Sequence, residues 1–327
     1  MIDKLSKNIE SLLKGEGFNG KISDLEPLTN GASNETWSFN YSEDLVIHKM
    51  ILKKGSDIPQ GLALSKSEEA EIQKVVFQEQ GPVPNVLAIS NDKSLLKNAY
   101  IMSLVEGESI PRKILRDEKY NKIRSSLAFQ CGQAMAKIHQ VPLDSLNWLD
   151  SKDIKRELDE LYLTYEKFQQ HLPVFEYTFK WLKDQDFGDF PNTLIHADFR
   201  LGNLIFDENG LQSVIDWELA HIGNPLQDIG WICVNSWRFG EYKHVVGGFG
   251  ELEDLLKGYK SIRNIQLHVE QIKNWQIFGT LRWGVICLIQ TFAHLLGPHN
   301  SVERAAIGRR VSETELDLVD LLFLEGK

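Results

Sequence analysis

The chain has little of what marks several protein classes. Only 3 of its 327 residues are cysteine, Cys131, Cys233 and Cys287, and none lies in a C-x-x-C pair. That excludes a disulfide framework and a zinc knuckle and fits a reducing cytoplasm. Basic residues are outnumbered: 36 Lys and Arg against 46 Asp and Glu leave a net charge of −10, so a nucleic-acid backbone is a poor partner. Long apolar runs are missing. The most apolar stretch, 281–296, is interrupted by Arg282, Gln290 and Thr291, too short and too polar to span a bilayer. The first residues space Ile2, Leu5, Ile9, Leu12 and Leu13 among lysines, which predicts an amphipathic helix rather than a secretory signal. No internal repeat and no low-complexity tract is visible. What remains is ordinary globular composition, 42% hydrophobic and 25% charged, in a chain long enough for two lobes.

The first third reads as strand-rich. Residues 25–29, 35–41 and 44–51 are candidate strands, with a turn at 30–35. A helix follows at about 65–79, with Ser65 or Ser67 as its cap and early glutamates that suit its dipole. GPVPNVLAIS and NAYIMSLVEG then supply two more strands, giving the order β-β-β-α-β-β. From about residue 120 the period becomes helical, with apolar residues at 123, 127, 131, 134, 135 and 138. Residues 153–184 hold two helices with Pro173 near their junction. A short two-stranded unit at 203–216 precedes helices to the end. The pattern predicts an α+β fold: a small β-rich N-terminal lobe with one main helix and a larger, mainly helical C-terminal lobe.

The chemistry concentrates in 194–231, LIHADFRLGNLIFDENGLQSVIDWELAHIGNPLQDIGW. Taking Asn209-Gly210 as a two-residue hairpin turn pairs 208 with 211, 206 with 213, 204 with 215 and 203 with 216. Asn203 and Asp216 then face each other with Cβ atoms roughly 5 Å apart. An amide and a carboxylate oxygen at one end of a hairpin suit magnesium, which completes its shell with water and phosphates. His196-x-Asp198 followed by Asn203 and a strand-borne Asp216 is a layout for phosphoryl transfer. The loop Asp takes the proton of an acceptor hydroxyl, while the Asn and second Asp hold metal ions on ATP phosphates. Arg200 is placed to put positive charge near the transferring group. A competing reading is a metal hydrolase built on His196, Asp198, Asp216 and His221, which leaves Asn203 and the whole N-terminal lobe unused.

The N-terminal lobe offers a phosphate-sized turn at Gly31, Ala32 and Ser33, although it is neither a Walker A loop nor G-x-G-x-x-G. The third strand supplies His48 and Lys49. On the following helix Glu69 shares a face with Ile72 and Val76, so a strand lysine could pair with it, as the α- and β-phosphates of a nucleotide require.

HADFRLGN and IDWELAHIGNPLQDIGW resemble the aminoglycoside phosphotransferase-like family, which has the protein-kinase-like fold, over about residues 25–322. FGTLRWGVICLIQ and ERAAIGRRVSETELDLVDLL are similar to a subgroup related to domains fused to acyl-CoA dehydrogenases. The resemblance implies an ATP- and Mg2+-dependent kinase organised as a nucleotide-binding lobe at 1–103, a hinge at 104–107 and a catalytic and acceptor-binding lobe at 108–327. It implies Asp198 as catalytic base, Asn203 and Asp216 as magnesium ligands, and His196 and Asp228 as braces of the catalytic loop. Backbone near Ser103–Val105 would meet the adenine. The subgroup's third strand carries V-L-R where Val46-Ile47-His48 stands here, which leaves open whether His48 or Lys49 contacts the phosphates and keeps a nucleotide-binding pseudokinase as an alternative. The partner is a small hydroxylated molecule, with no nucleic acid and no membrane. Residues 231–327 hold 11 acids and 11 bases, no excess for a polycationic aminoglycoside. Relatives fused to acyl-CoA dehydrogenases imply a hydroxyacyl-CoA instead.

Overall fold

The computed structural model describes residues 2–30, 34–43, 46–55, 63–91, 95–297 and 301–324. They form two compact units, one made of Met1–Ser109, Val141–Leu146 and Gly202–Ala220, the other of Ile110–Gln140, Asn147–Leu201 and His221–Lys327.

In the first unit helix α1 (Ile2–Gly15) precedes strands β1 (Lys21–Asn30), β2 (Asn34–Glu43) and β3 (Val46–Gly55), helix α2 (Lys66–Gln78) and strands β4 (Val86–Ile89) and β5 (Ala99–Ser103). The strands make one antiparallel sheet in the order β1-β2-β3-β5-β4. Alternation along β3 divides the core between the two sheet faces. Met50 and Leu52 pack with Phe39 and Tyr41 under Ile9, Leu12 and Leu13 of α1. Ile51 packs on the other face with Val86, Tyr100 and Met102 under Ala70 of α2. Ser65 caps α2 in a capping box: its hydroxyl accepts from the Glu68 amide at 3.2 Å, and the Glu68 carboxylate accepts from the Ser65 amide at 2.8 Å.

Two local expectations change. β3 runs to Gly55, four residues beyond the expected end at 51. The run Lys53-Lys54-Gly55, outside the candidate strand, pairs in register with Thr36, Glu35 and Asn34 of β2. The hairpin of β7 (Leu204–Asp207) and β8 (Gly210–Val214) turns one residue earlier than expected. Leu204 faces Val214 and Asp207 faces Gly210, so Glu208-Asn209 form the turn. The Asp207 carboxylate accepts from the amides of Asn209 at 2.7 Å and Gly210 at 3.1 Å. Asp at the first and Gly at the fourth position is type I turn chemistry, and Gly210 takes φ +124°. Asn203 therefore accepts its backbone bond from the Ile215 amide at 2.9 Å, and Asp216 lies one residue beyond.

The second unit holds α3 (Pro111–Arg116), α4 (Arg124–Ile138), α5 (Ile154–Glu166), α6 (Pro173–Leu182), β6 (Thr193–Ile195), β9 (His221–Gly223), α7 (Leu226–Ile232), α8 (Leu252–Ile262), α9 (Val269–Leu296), α10 (Val302–Gly308) and α11 (Val311–Val319). Pro173 opens α6, where its missing N–H costs nothing. α9 is a 28-residue helix, and the apolar stretch is only its C-terminal half. Helices α4 and α8 meet backbone to backbone: a Cβ at Gly132 would stand 2.0 Å from the Leu255 carbonyl oxygen. β6 and β9 pair antiparallel, so the chain leaves β6 directly into His196. Among the described residues no helix is long and apolar enough to cross a membrane.

Candidate active site

The first unit buries a chain of alternating charges. Lys53, on the α2-covered face of β3, donates to Glu69 at 3.2 Å and to Asp216 at 3.0 Å. Glu69 is fully buried and also accepts from the Tyr100 hydroxyl at 2.8 Å and from Lys66 at 2.6 Å. Lys66 reaches on to Glu218 at 3.5 Å. Burial alone would push the Glu69 carboxyl up, but Lys53 and Lys66 outweigh it and hold Glu69 below the usual carboxylate range. Burial likewise pulls on the Lys53 ammonium, yet Asp216 and Glu69 keep it well above its ordinary range. Burial raises Glu218, with the neighbouring Asp216 adding to it.

The helix glutamate thus has a strand lysine, and it is Lys53 rather than Lys49 or His48. Lys49 pairs at 3.3 Å with Glu106, and both side chains are more than half exposed. His48 and Lys49 line a cavity of about 570 Å3 with Ser103, Leu104 and Glu106. Ser103 exchanges hydrogen bonds with Asn85, and Val105 is half-buried. The missed signal was alternation: Lys49, Ile51 and Lys53 share one face, and only Lys53 lies far enough along the strand to meet Glu69. Gly31, Ala32 and Ser33 lie outside the described residues.

Asn203 is buried and Asp216 partly so, at the same end of the hairpin. Asp216 holds φ +73°, a left-handed conformation that Asp tolerates better than most residues. An amide oxygen and a carboxylate at one end of a hairpin are hard donors that fit magnesium, which takes its remaining ligands from water and phosphate.

The second unit holds Asp198 in a loop with its own supports. Asp228, fully buried on α7, accepts from the amides of His196 at 2.9 Å and Ala197 at 2.8 Å. Ala197 takes φ +62°, a strain of about 1–2 kcal/mol for a residue with a Cβ, which these two bonds offset. His139 completes the support, with Nε2 3.1 Å from Asp228 and Nδ1 2.9 Å from the Tyr259 hydroxyl. Burial lowers the His139 pKa more than Asp228 raises it, so the ring is neutral, donates Nε2–H to Asp228 and accepts from Tyr259. His196 Nδ1 accepts from the Asp198 amide at 3.2 Å.

Asp198 Oδ1 accepts from Arg200 Nε at 2.9 Å and from the Trp231 indole at 3.0 Å. Arg200 also lies over Trp237 at 4.7 Å and donates to the Leu201 carbonyl at 3.1 Å. Arg282 lies over Trp231 at 5.2 Å and Arg310 over Trp283 at 5.8 Å. The three indoles meet in tilted contacts, Trp231 with Trp237 at 5.2 Å and Trp237 with Trp283 at 4.7 Å. Composition showed the tryptophans but not this cluster, because 231, 237 and 283 come from separate elements.

His221 is engaged elsewhere, 3.1 Å from Gln227 and 3.5 Å from Glu157. Among the described residues no group of three or more His, Cys, Asp or Glu is arranged to hold a metal ion by themselves. The hydrolase reading, which needs His221 as a ligand, gains nothing from this geometry. The three cysteines are buried; burial pushes the Cys131 thiol far up and those of Cys233 and Cys287 to about 12, so none is a nucleophile.

A five-stranded antiparallel sheet with one Lys–Glu-linked helix, followed by a mainly helical unit carrying the His-x-Asp loop, is the kinase-like α+β architecture of small-molecule phosphotransferases. The profile of the phosphotransferase enzyme family, APH, matches residues 24–263, and the chain belongs to that family. Acyl-CoA dehydrogenase family member 11 from Pongo abelii is 29% identical over 251 residues, 68% of this chain and 31% of its own length. The chain therefore spans about a third of that relative, a distant homologue through its APH-like region. A candidate aminoglycoside phosphotransferase from Ralstonia eutropha JMP134 has the same fold, with TM-score 0.73, 19% identity and coverage of 96% of this chain and 97% of that one. The streptomycin–ATP ternary complex of APH(2")-IIa aligns with TM-score 0.59 and 16% identity over 88% of this chain and 89% of that one.

Proposed function

We propose that the chain is an ATP- and Mg2+-dependent kinase that transfers the γ-phosphoryl group to the hydroxyl of a small molecule. The observation that carries this reading is Lys53, ion-paired with both the buried Glu69 and Asp216. A strand lysine fixed by a helix glutamate is what the α- and β-phosphates need, and it places that lysine beside the carboxylate proposed for the metal. The nucleotide-bound relative supports the choice of ATP. Lys53 in the pair with Glu69 favours the kinase over the pseudokinase alternative, whose motive was a histidine at the lysine's place.

Magnesium, held by Asn203 and Asp216, would neutralise phosphate charge when bound. The chain's own residues do the rest. Glu69 orients Lys53 toward the nucleotide. Asp228 and His139 hold the strained Ala197 peptide, which sets the direction of Asp198. Arg200 and Trp231 fix the Asp198 carboxylate through one oxygen, and Asp198 accepts the acceptor's hydroxyl proton.

The acceptor we favour is a hydroxyacyl-CoA rather than an aminoglycoside. Three arginines, Arg200, Arg282 and Arg310, stacked on three indoles suit an anionic acceptor better than a polycation, and the APH-like relative belongs to an acyl-CoA dehydrogenase. Incubation with Mg-ATP and, separately, hydroxyacyl-CoAs, sugars, choline and aminoglycosides, read by mass spectrometry, tests this. Phosphorylation of hydroxyacyl-CoA alone is the expected result; turnover only with an aminoglycoside overturns the acceptor assignment, and no phosphorylated product from any class overturns the kinase.

A further inference from the structure

Lys53 has two partners, and the proposed reaction adds a third. Asp216 meets Lys53 through Oδ1 at 3.0 Å, and a nucleotide with its metal would compete for both groups, phosphate for the ammonium and magnesium for the carboxylate. Nucleotide binding would therefore weaken this pair and draw Lys53 toward the phosphates. That leaves Glu69, fully buried, with a lysine now shared with the phosphates. A buried carboxylate whose counter-charge is drawn away is costly in a low-dielectric surrounding.

The structure supplies a second cation at this point. Lys66 is almost fully buried, unusual for a lysine. It lies 2.6 Å from the Glu69 oxygen that Lys53 does not use, and 3.5 Å from Glu218. Its position is fixed independently of Lys53. The Lys66 amide donates to the Asn98 side chain at 2.6 Å, and the Asn98 carbonyl accepts from the Gly55 amide at 2.8 Å, at the end of β3. The Leu64 amide donates to the Glu218 carbonyl at 2.8 Å. The start of α2 is thus tied both to the end of the lysine strand and to the segment following Asp216.

We infer that Lys66 is a positioning residue for nucleotide binding: it keeps Glu69 neutralised while Lys53 passes from Asp216 to the phosphates. This rests on the kinase reading above. Lys66 does not touch the nucleotide in this account; it acts through Glu69 and is needed only when Lys53 moves.

The test is calorimetric titration of the whole chain with Mg-ATP in the absence of acceptor, so that no turnover is needed. Lys66→Met keeps an unbranched chain only one atom shorter and removes its charge. It should weaken Mg-ATP at least tenfold, Lys66→Arg should recover affinity to within threefold, and in a Glu69→Gln background Lys66→Met should cost less than threefold. A lysine that merely fills the start of α2 would lower thermal stability without moving the affinity of the folded protein. Mg-ATP affinity within twofold of the parent for folded Lys66→Met, or an equal loss in the Glu69→Gln background, overturns the inference. Should Lys66→Met not fold, Lys66→Gln is held to the same criteria. A parent protein that binds no Mg-ATP overturns the kinase reading itself, whereas tight parental binding with an indifferent Lys66 overturns only this step.

Discussion

Replacing Lys53 by Met removes the charge at the centre of the buried network and leaves its neighbours in place. Breaking a buried ion pair commonly costs about 3–5 kcal/mol because the partner stays buried and uncompensated. Here Glu69 keeps Lys66 at 2.6 Å and Tyr100 at 2.8 Å, and Asp216, one-third exposed, can rehydrate. The cost to stability should therefore be smaller, about 1–3 kcal/mol, the range for one lost partner of a charged group. The effect on turnover should be larger, about 10²–10³-fold in kcat/KM for ATP, as for loss of one fixed donor to a reacting group. Lys49→Ala is the control. Its ion pair with Glu106 is solvated on both sides, worth roughly 0–1 kcal/mol, and its loss should leave the ATP KM within twofold. Urea melts and steady-state kinetics on both variants read these quantities. If Lys49→Ala raises the ATP KM tenfold while Lys53→Met leaves it unchanged, the assignment of the phosphate lysine is wrong.

Three further outcomes are expected. Asp216→Ala should abolish the magnesium dependence of nucleotide binding by calorimetry, since it removes the carboxylate of the metal pair while leaving Asn203; unchanged magnesium dependence would return Asp216 to a structural role. Gly132→Ala should destabilise by at least the 1–3 kcal/mol typical of overpacking, because its Cβ would meet backbone, the Leu255 carbonyl at 2.0 Å; a thermal midpoint equal to the parent's would contradict the close α4–α8 packing. His139 has its pKa lowered by burial, so the unfolded chain binds its proton first. Its contribution to stability is complete above the unfolded value of about 6.5 and is lost as pH falls from there through the lower folded value. His139→Gln, which can still donate to Asp228, should flatten that part of the stability–pH curve, and an unchanged slope would show that other groups set it.

Much of the fold was legible because it rests on local chemistry. The change from period 2 to period 3.6 near residue 120, a serine cap with early glutamates at the start of α2 and the hairpin between Asn203 and Asp216 are all properties of short segments. The errors fell where two local signals competed. Asn209-Gly210 is a strong turn pair, but Asp207 binds the amides of Asn209 and Gly210 and moves the turn back by one residue. Lys53-Lys54-Gly55 lies past the expected end of the strand, but pairing with β2 carries β3 through it, and the lysine that pairs with Glu69 lies four or five residues beyond the two singled out. The burial of His139 as a satisfied core histidine was legible, but its partners Asp228 and Tyr259, the Lys66 and Tyr100 contacts and the indole cluster were not, since each comes from a residue distant in sequence. Burial of a lysine beside a glutamate three residues on is a tertiary fact that an i, i+3 pair does not announce.

The central claim is phosphoryl transfer with Asp198 as base, and Asp198→Asn tests it most directly. The amide keeps the size of the side chain but cannot take a hydroxyl proton. With γ-labelled Mg-ATP and the acceptor found by the product screen, transfer of label should fall by about 10²–10⁴-fold, while calorimetric Mg-ATP affinity stays within threefold of the parent. Label transfer within a few-fold of the parent would contradict the account.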